Sequence, residues 1–349
     1  MTSTGTVHLA QSFGPDFSGR VITAADPGYD DARRVWNSAI DLRPSVIAQC
    51  RTAADVVAVV NRTREAGVPL AVRAGGHSVS GLSSCEGGVV IDLTAMKRVT
   101  VDAGRRLASV EPGATWADLD AATAPDGLAT TGGLISTTGV AGLTLGGGIG
   151  WLQRRYGLSC DNLRAAEVVT ADGDVVATGR SQRPELLWGL RGGGGNFGVV
   201  TRFDFDLHPV STILGGLLLF PFDRGTEVLR AFAEWTATAP DEASLLAAVM
   251  TAPPAPFVPP DLVGQKVVAL VGCWCGDLAA GAEALAPLRA LGPAVDLFGP
   301  MPYPVLQQML DAGAPPGLRS YFRGGFVAEL TEEIIAVVLD HGALMTSPM

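Results

Sequence analysis

The chain has 349 residues, 47% hydrophobic and 17% charged, enough apolar material for the cores of about two domains and too much for a disordered one. Its net charge of −10 lacks the basic footprint that a nucleic-acid binder needs, so no nucleic-acid partner is expected. The acidity is uneven: residues 211–349 hold 14 acids against 6 bases, while residues 1–210 are nearly balanced and better suited to an anionic ligand.

The first residues, MTSTGTVHLAQSFGPDF, have neither a basic n-region nor an apolar h-region, and no run of 18 apolar residues follows. No membrane association is expected, and a soluble cytoplasmic protein is. The first regular unit is read at Thr52, which caps a helix with Asp55 three residues on and Gly67 as its stop. A strand Pro69–Val72 leads into the glycine turn Arg73–Ser78 (RAGGHS). Strands Val89–Leu93, Val99–Asp102 and Leu107–Glu111 and a helix Trp116–Ala124 follow. Residues 130–150 contain eight glycines and almost no charge; such a stretch is costly to order alone and is expected to wrap a ligand. Residues 164–178 read as a hairpin with an Asp-Gly turn. A helix Pro184–Arg191, the loop Gly192–Gly198 and an alternating strand Val199–Leu207 complete the first part.

Composition shifts near Pro209-Val210, where a domain boundary is placed. Beyond it the pattern gives strands Ile213–Phe222, Leu245–Thr251, Lys266–Trp274 and Ala294–Phe298. Between and after them it gives helices Thr226–Ala239, Leu278–Leu291, Val305–Leu310 and Thr331–Leu339. No strand returns after the last helix, so the chain is expected to be cut short. The texture is α+β, in three stretches: a 1–39 N-terminal segment, a 40–210 domain and a 211–349 domain. Trp116, Trp151 and Trp188 are expected in the core, and Arg154-Arg155 as a solvated or structural pair.

Gly193–Gly198 formally matches G-x-G-x-x-G, but a helix precedes it and a strand follows, the inverse of a dinucleotide-binding turn. There is no P-loop and no G-x-S-x-G elbow. Five scattered cysteines make no disulfide framework, Cys273-Trp-Cys275 is too tight for a zinc knuckle, and the histidines at 8, 77, 208 and 341 have no ligand spacing. No metal is expected. His77 has two readings: a turn histidine bonded to backbone, or a neutral nucleophile beside a nest of N–H groups.

Five segments in order, Arg73–Ser78 (RAGGHS), Val89–Leu93 (VVIDL), Val110–Trp116 (VEPGATW), Gly142–Gly150 (GLTLGGGIG) and Gly194–Val200 (GGNFGVV), resemble the berberine-bridge-enzyme-like oxidases. These form part of the vanillyl-alcohol-oxidase family with the PCMH-type FAD-binding domain. The bacterial branch that includes 6-hydroxy-D-nicotine oxidase is the most similar. The resemblance is close over residues 40–210 and only textural beyond. It implies a two-subdomain PCMH-type FAD-binding domain, then an incomplete substrate domain of antiparallel sheet and helices lacking the family's C-terminal returning segment.

The resemblance also implies FAD as cofactor, attached through His77 by an 8α-histidyl bond. Arg73, Ala74, Gly75, Gly76 and Ser78 would lie on one side of the pyrophosphate, and Thr137, Thr138, Gly142, Gly146, Gly147 and Gly148 on the other. Val199 and Val200 would meet the adenine end. Some members carry a second, cysteinyl flavin bond; Ile135 stands at that position, with Ser136 beside it and Cys160 out of register, so a single bond is expected. The implied activity is oxidation of a C–H next to O or N of a small-molecule substrate by hydride transfer to flavin N5, with dioxygen as acceptor. A dehydrogenase, an inactive flavin-binding homologue and a noncovalent-FAD reductase using NADPH are the alternatives. No catalytic base, substrate or oligomeric state follows from the sequence.

Overall fold

The computed structural model describes residues 13–346, so His8 and the rest of the first twelve residues of the 1–39 segment lie outside it. The fold is the expected α+β mixture, in two compact units. The first comprises residues up to 150, 156–209 and 307–322; the second comprises 151–155, 210–306 and the residues from 323.

In the first unit, strands β1 (Arg20–Thr23), β2 (Val46–Gln49), β3 (Leu70–Arg73) and β4 (Val89–Asp92) form a sheet in the order β1-β2-β4-β3. The β2-β4 and β4-β3 pairs are parallel, with Gln49 and Arg73 both level with Asp92. The helix Ala53–Ala66 covers this sheet through Val56, Val59 and Val60. Its start is as expected: Thr52 Oγ1 accepts from the Asp55 N–H and Asp55 accepts from the Thr52 N–H, while Gly67 closes the helix at φ +62°. β1, β2 and the short helix Tyr29–Arg33 precede the position where the sequence placed its first regular unit. Four-residue strands are too short to show a period; pairing on both sides makes β2 a strand, and all but Gln49 of it is buried.

A second, antiparallel sheet of the same unit has the order β5-β6-β10-β8-β9. Its strands are β5 (Val99–Asp102), β6 (Leu107–Val110), β8 (Leu163–Val169), β9 (Val175–Gly179) and β10 (Val199–Asp206); β7 (Leu128–Ala129) pairs with β11 (His208–Pro209). Phe203 and Phe205 of β10 alternate inward with Val110, Leu163 and Trp116, the last on the helix Trp116–Thr123. Trp188 corrects an expectation. It is 80% exposed, because Leu187 and Leu190 take the buried face of the helix Pro184–Leu190.

The second unit is an antiparallel sheet of β12 (Thr212–Pro221), β13 (Ala243–Thr251), β14 (Lys266–Trp274) and β15 (Val295–Asp296), with β16 (Gly299–Pro302) also paired to β12. The helices Gly225–Thr238, Leu278–Arg289 and Glu332–Leu344 contribute to its core. The single strand expected at 294–298 is split, because the Asp296 carboxylate accepts the Phe298 N–H and turns the chain. Trp151 is buried, and Arg154 and Arg155 are structural, donating to the carbonyls of Ala239, Ala243 and Cys275. No helix among the described residues is long and apolar enough to cross a membrane.

Residues 307–322 belong to the first unit, and two of their polar contacts with it involve carboxyl groups. The Asp311 carboxylate accepts from the N–H and Oγ of Ser136, at 2.8 and 2.6 Å. Gln307 Nε2 donates to the Asp120 carboxyl at 3.2 Å, and both side chains are buried. Burial pushes the Asp120 carboxyl up to about 7, with the Gln307 bond acting against it. The native state thus keeps a proton that the unfolded carboxyl, at 3.8, gives up, so stability falls as pH rises from about 4 to about 7 and that loss is complete above. Asp120→Asn should flatten this slope and be more stable than the wild type at pH 8; an unchanged slope in urea melts at pH 5 and pH 8 would refute the assignment.

Candidate functional site

Parallel strands carry their ligands beyond their carboxyl ends. At that edge Gln49, Arg73 and Asp92, the last residues of β2, β3 and β4, line a cleft of about 340 Å³ together with Trp36 and the backbone of Ala74–Gly76. A larger hollow of about 510 Å³ lies on the second unit, but both of its cations are already paired, Arg224 with Glu227 and Arg230 with Glu332. The first cleft is therefore the candidate site.

Arg73 and Asp92 form an ion pair at 2.7 Å with side chains 9% and 3% exposed. The Arg73 guanidinium also donates to the carbonyls of Ala32 and Arg34. Its charge holds the start of the turn in place, and removing either partner would strand a buried charge at a cost of about 3–5 kcal/mol. From this anchor the chain runs through Ala74–Ser78, with Gly76 at φ +69°. Among the described residues, none of the five N–H groups of this turn finds an acceptor in the protein. Half-buried donors in sequence with no internal partner form an anion-binding concavity.

The facing wall is the loop before the helix Val140–Leu145. A Cβ on Gly75 would lie 2.4 Å from the Gly139 nitrogen, and one on Gly139 would lie 2.6 Å from the Gly75 nitrogen. The two backbones touch, and only glycine at both positions allows it. This approach brings Thr137 and Thr138 onto His77: Thr137 Oγ1 is 3.3 Å from Nε2, and Thr138 Oγ1 is 3.3 Å from Nδ1. Burial lowers the His77 imidazole below its ordinary pKa, opposed by the Asp311 carboxylate, and so favours the neutral ring.

The remaining expected residues lie apart from this cluster in their bonding. Gly142 faces open space, with nothing within 4 Å of the place a Cβ would take. Gly147 and Gly148, at φ +110° and +89°, give their carbonyls to the N–H groups of Cys160 and Ser159, and the Gly146 N–H goes to the carbonyls of Gly142 and Leu143. Val199 and Val200 are buried in β10 opposite Val169 and Val168. Ile135 is half-buried, and Cys160 sits behind the Gly147-Gly148 turn. Sequence reasoning missed Trp36, Asn37, Asp92 and Asp311. Of these only Asp92 had a signal, an acid inside the apolar run VVIDL.

Gly75→Ala should cost about 1–3 kcal/mol as overpacking against Gly139 and abolish ligand retention. Gly142→Ala should leave the melting temperature unchanged yet lower the flavin content of the purified protein. Equal melting temperatures for the two variants would refute this division.

The "FAD binding domain" family matches residues 44–179. An FAD-linked oxidoreductase of Dictyostelium discoideum is 32% identical over 339 residues, covering 96% of this chain and 72% of its own length. (R)-6-hydroxynicotine oxidase of Paenarthrobacter nicotinovorans is 35% identical over 234 residues, covering 67% of this chain and 48% of its own length. The crystal structure of 6-hydroxy-D-nicotine oxidase from Arthrobacter nicotinovorans superposes with a TM-score of 0.79 at 29% identity, over 88% of this chain and 66% of that one. The chain thus spans about half to three quarters of the length of these relatives. With its glycine turn, its neutral histidine and this similarity along nearly its whole length, the chain belongs to the FAD-linked oxidoreductases built on the PCMH-type FAD-binding domain.

Proposed function

We propose that the chain carries FAD between the Ala74–Ser78 turn and the Thr137–Gly142 loop, attached through His77 alone, and oxidises a C–H next to O or N of a small molecule. The observation that carries this reading is the run of five unpartnered N–H groups ending beside a neutral imidazole whose two nitrogens are held by hydroxyls. The fit is chemical as well as geometric. A pyrophosphate needs donors without competing acceptors, and the turn supplies them; attachment needs an uncharged ring nitrogen, and burial keeps one.

When bound, FAD supplies a ring that takes up a hydride equivalent and passes its electrons to dioxygen. The residues of this chain do the rest. Ala74–Ser78 bind and orient the pyrophosphate, and Gly142 leaves room where a side chain would intrude. Arg73 and Asp92 keep the turn at the sheet edge, and His77 fixes the position of the ring. Ile135 at the place of the second attachment point cannot form a thioether, which supports a single covalent bond.

The purified protein, precipitated with acid, should carry its flavin absorbance and fluorescence into the pellet, while His77→Ala should release all of it to the supernatant. Flavin remaining in the pellet of that variant, or absent from the wild-type pellet, would overturn the attachment at His77. Peroxide formed with substrate under air and not under nitrogen would support dioxygen as acceptor.

A further inference from the structure

Trp36 and Asn37 surround the His77 turn without belonging to the expected flavin contacts. The Trp36 indole stacks on one face of the His77 imidazole, with ring centroids 5.2 Å apart and planes 19° from parallel. The indole is held from several sides. The Trp36 N–H donates to the Gly76 carbonyl at 3.0 Å, Nε1–H donates to the Ala314 carbonyl at 3.0 Å, and the Trp36 carbonyl accepts from the Gly317 N–H at 2.9 Å. Asn37 is 1% exposed and uses all of its bonding capacity. Its Nδ2 donates to the carbonyls of Val79 and Ser320, and its Oδ1 accepts from the N–H groups of Ser320 and Ala39. Both ends of the His77 turn, at Gly76 and Val79, are thereby tied to the segment 314–320.

We propose that Trp36 and Asn37 form a clamp that, with Thr137 and Thr138, presents the His77 imidazole for flavin attachment in one fixed orientation. The inference rests on the attachment reading above. A neutral imidazole has one N–H and one bare nitrogen, so one threonine hydroxyl accepts and the other donates. To exchange its two nitrogens the ring must rotate about Cβ–Cγ through a perpendicular orientation, and the indole plane stands in the way. The stacked face leaves the ring edges to the two threonine hydroxyls, and the hydroxyl at the reacting nitrogen yields its place to the flavin methyl carbon. In the attachment one hydrogen leaves the flavin methyl carbon and one leaves His77, an N–C bond forms between them, and dioxygen takes up both hydrogens as peroxide. Trp36 acts in this step as a positioning residue, through the face of the imidazole ring.

The test follows acid-stable flavin over time after FAD is added to protein purified from riboflavin-limited cells. Total bound flavin is measured in parallel before precipitation. Trp36→Ala should lower the rate of attachment per bound flavin at least about tenfold, as loss of orientation does, and Trp36→Phe should restore most of that rate. Should Trp36→Ala not fold, Trp36→Leu fills the space without an aromatic face and gives the same reading. Attachment at the wild-type rate in the Ala or Leu variant would overturn the clamp alone, as would a proportionate loss of all flavin binding. Flavin that stays acid-soluble in the wild type would remove the attachment reading, and the clamp with it.

Discussion

At Gly75 and Gly139 two peptide backbones pass with no side chain between them, and a methyl on either would lie within 2.6 Å of the other. Much of the site depends on that contact. It sets the turn after β3 against the loop before the helix Val140–Leu145, so that Thr137 and Thr138 meet the two nitrogens of His77. Among the described residues the N–H groups of Ala74–Ser78 have no acceptor in the protein. Close backbone packing of this kind is rigid, because a well-filled interior yields little to small displacements.

Beneath that contact lies a charged one. The Arg73–Asp92 pair spans the carboxyl edge of two parallel strands whose other residues there are apolar or backbone. Taking two charges out of water is expensive, and such pairs often add nothing to net stability. Here the guanidinium also holds carbonyls of residues 32 and 34, so the pair fixes where the chain leading to Trp36 passes the turn. Specific placement, more than stability, is what the pair provides.

Much of this was readable in the residues. The helix Ala53–Ala66 announced itself through Thr52, Asp55 and Gly67, because capping is local chemistry. The turn Arg73–Ser78 and the glycine-rich loop stood out because each glycine cluster marks an approach that side chains forbid. What stayed hidden is non-local. Nothing in Val-Trp-Asn-Ser says that the indole will lie on a histidine 41 residues on, or that Asn37 will bond to Ser320, 283 residues away. Trp188 misled for a related reason: size argues for burial, yet the face of the helix decides it. Asp120, an acid with no charged partner in its own helix, carried no mark of its burial.

The return of residues 307–322 to the first unit bears on the order in which the protein is built. Ser136 waits for Asp311 across 175 positions, and Asp120 for Gln307 across 187. Contacts so distant in sequence form late, after shorter loops have closed and, during synthesis, after the intervening chain has emerged. The glycine turn and the parallel strands need only neighbours within about sixty-five residues and are able to assemble before those contacts. The carboxylate of Asp311, an acid that bears on the His77 ring, comes into place only after β12 to β16 have been made. The histidine therefore acquires its final electrostatic surroundings among the last events of folding, although its turn is among the first.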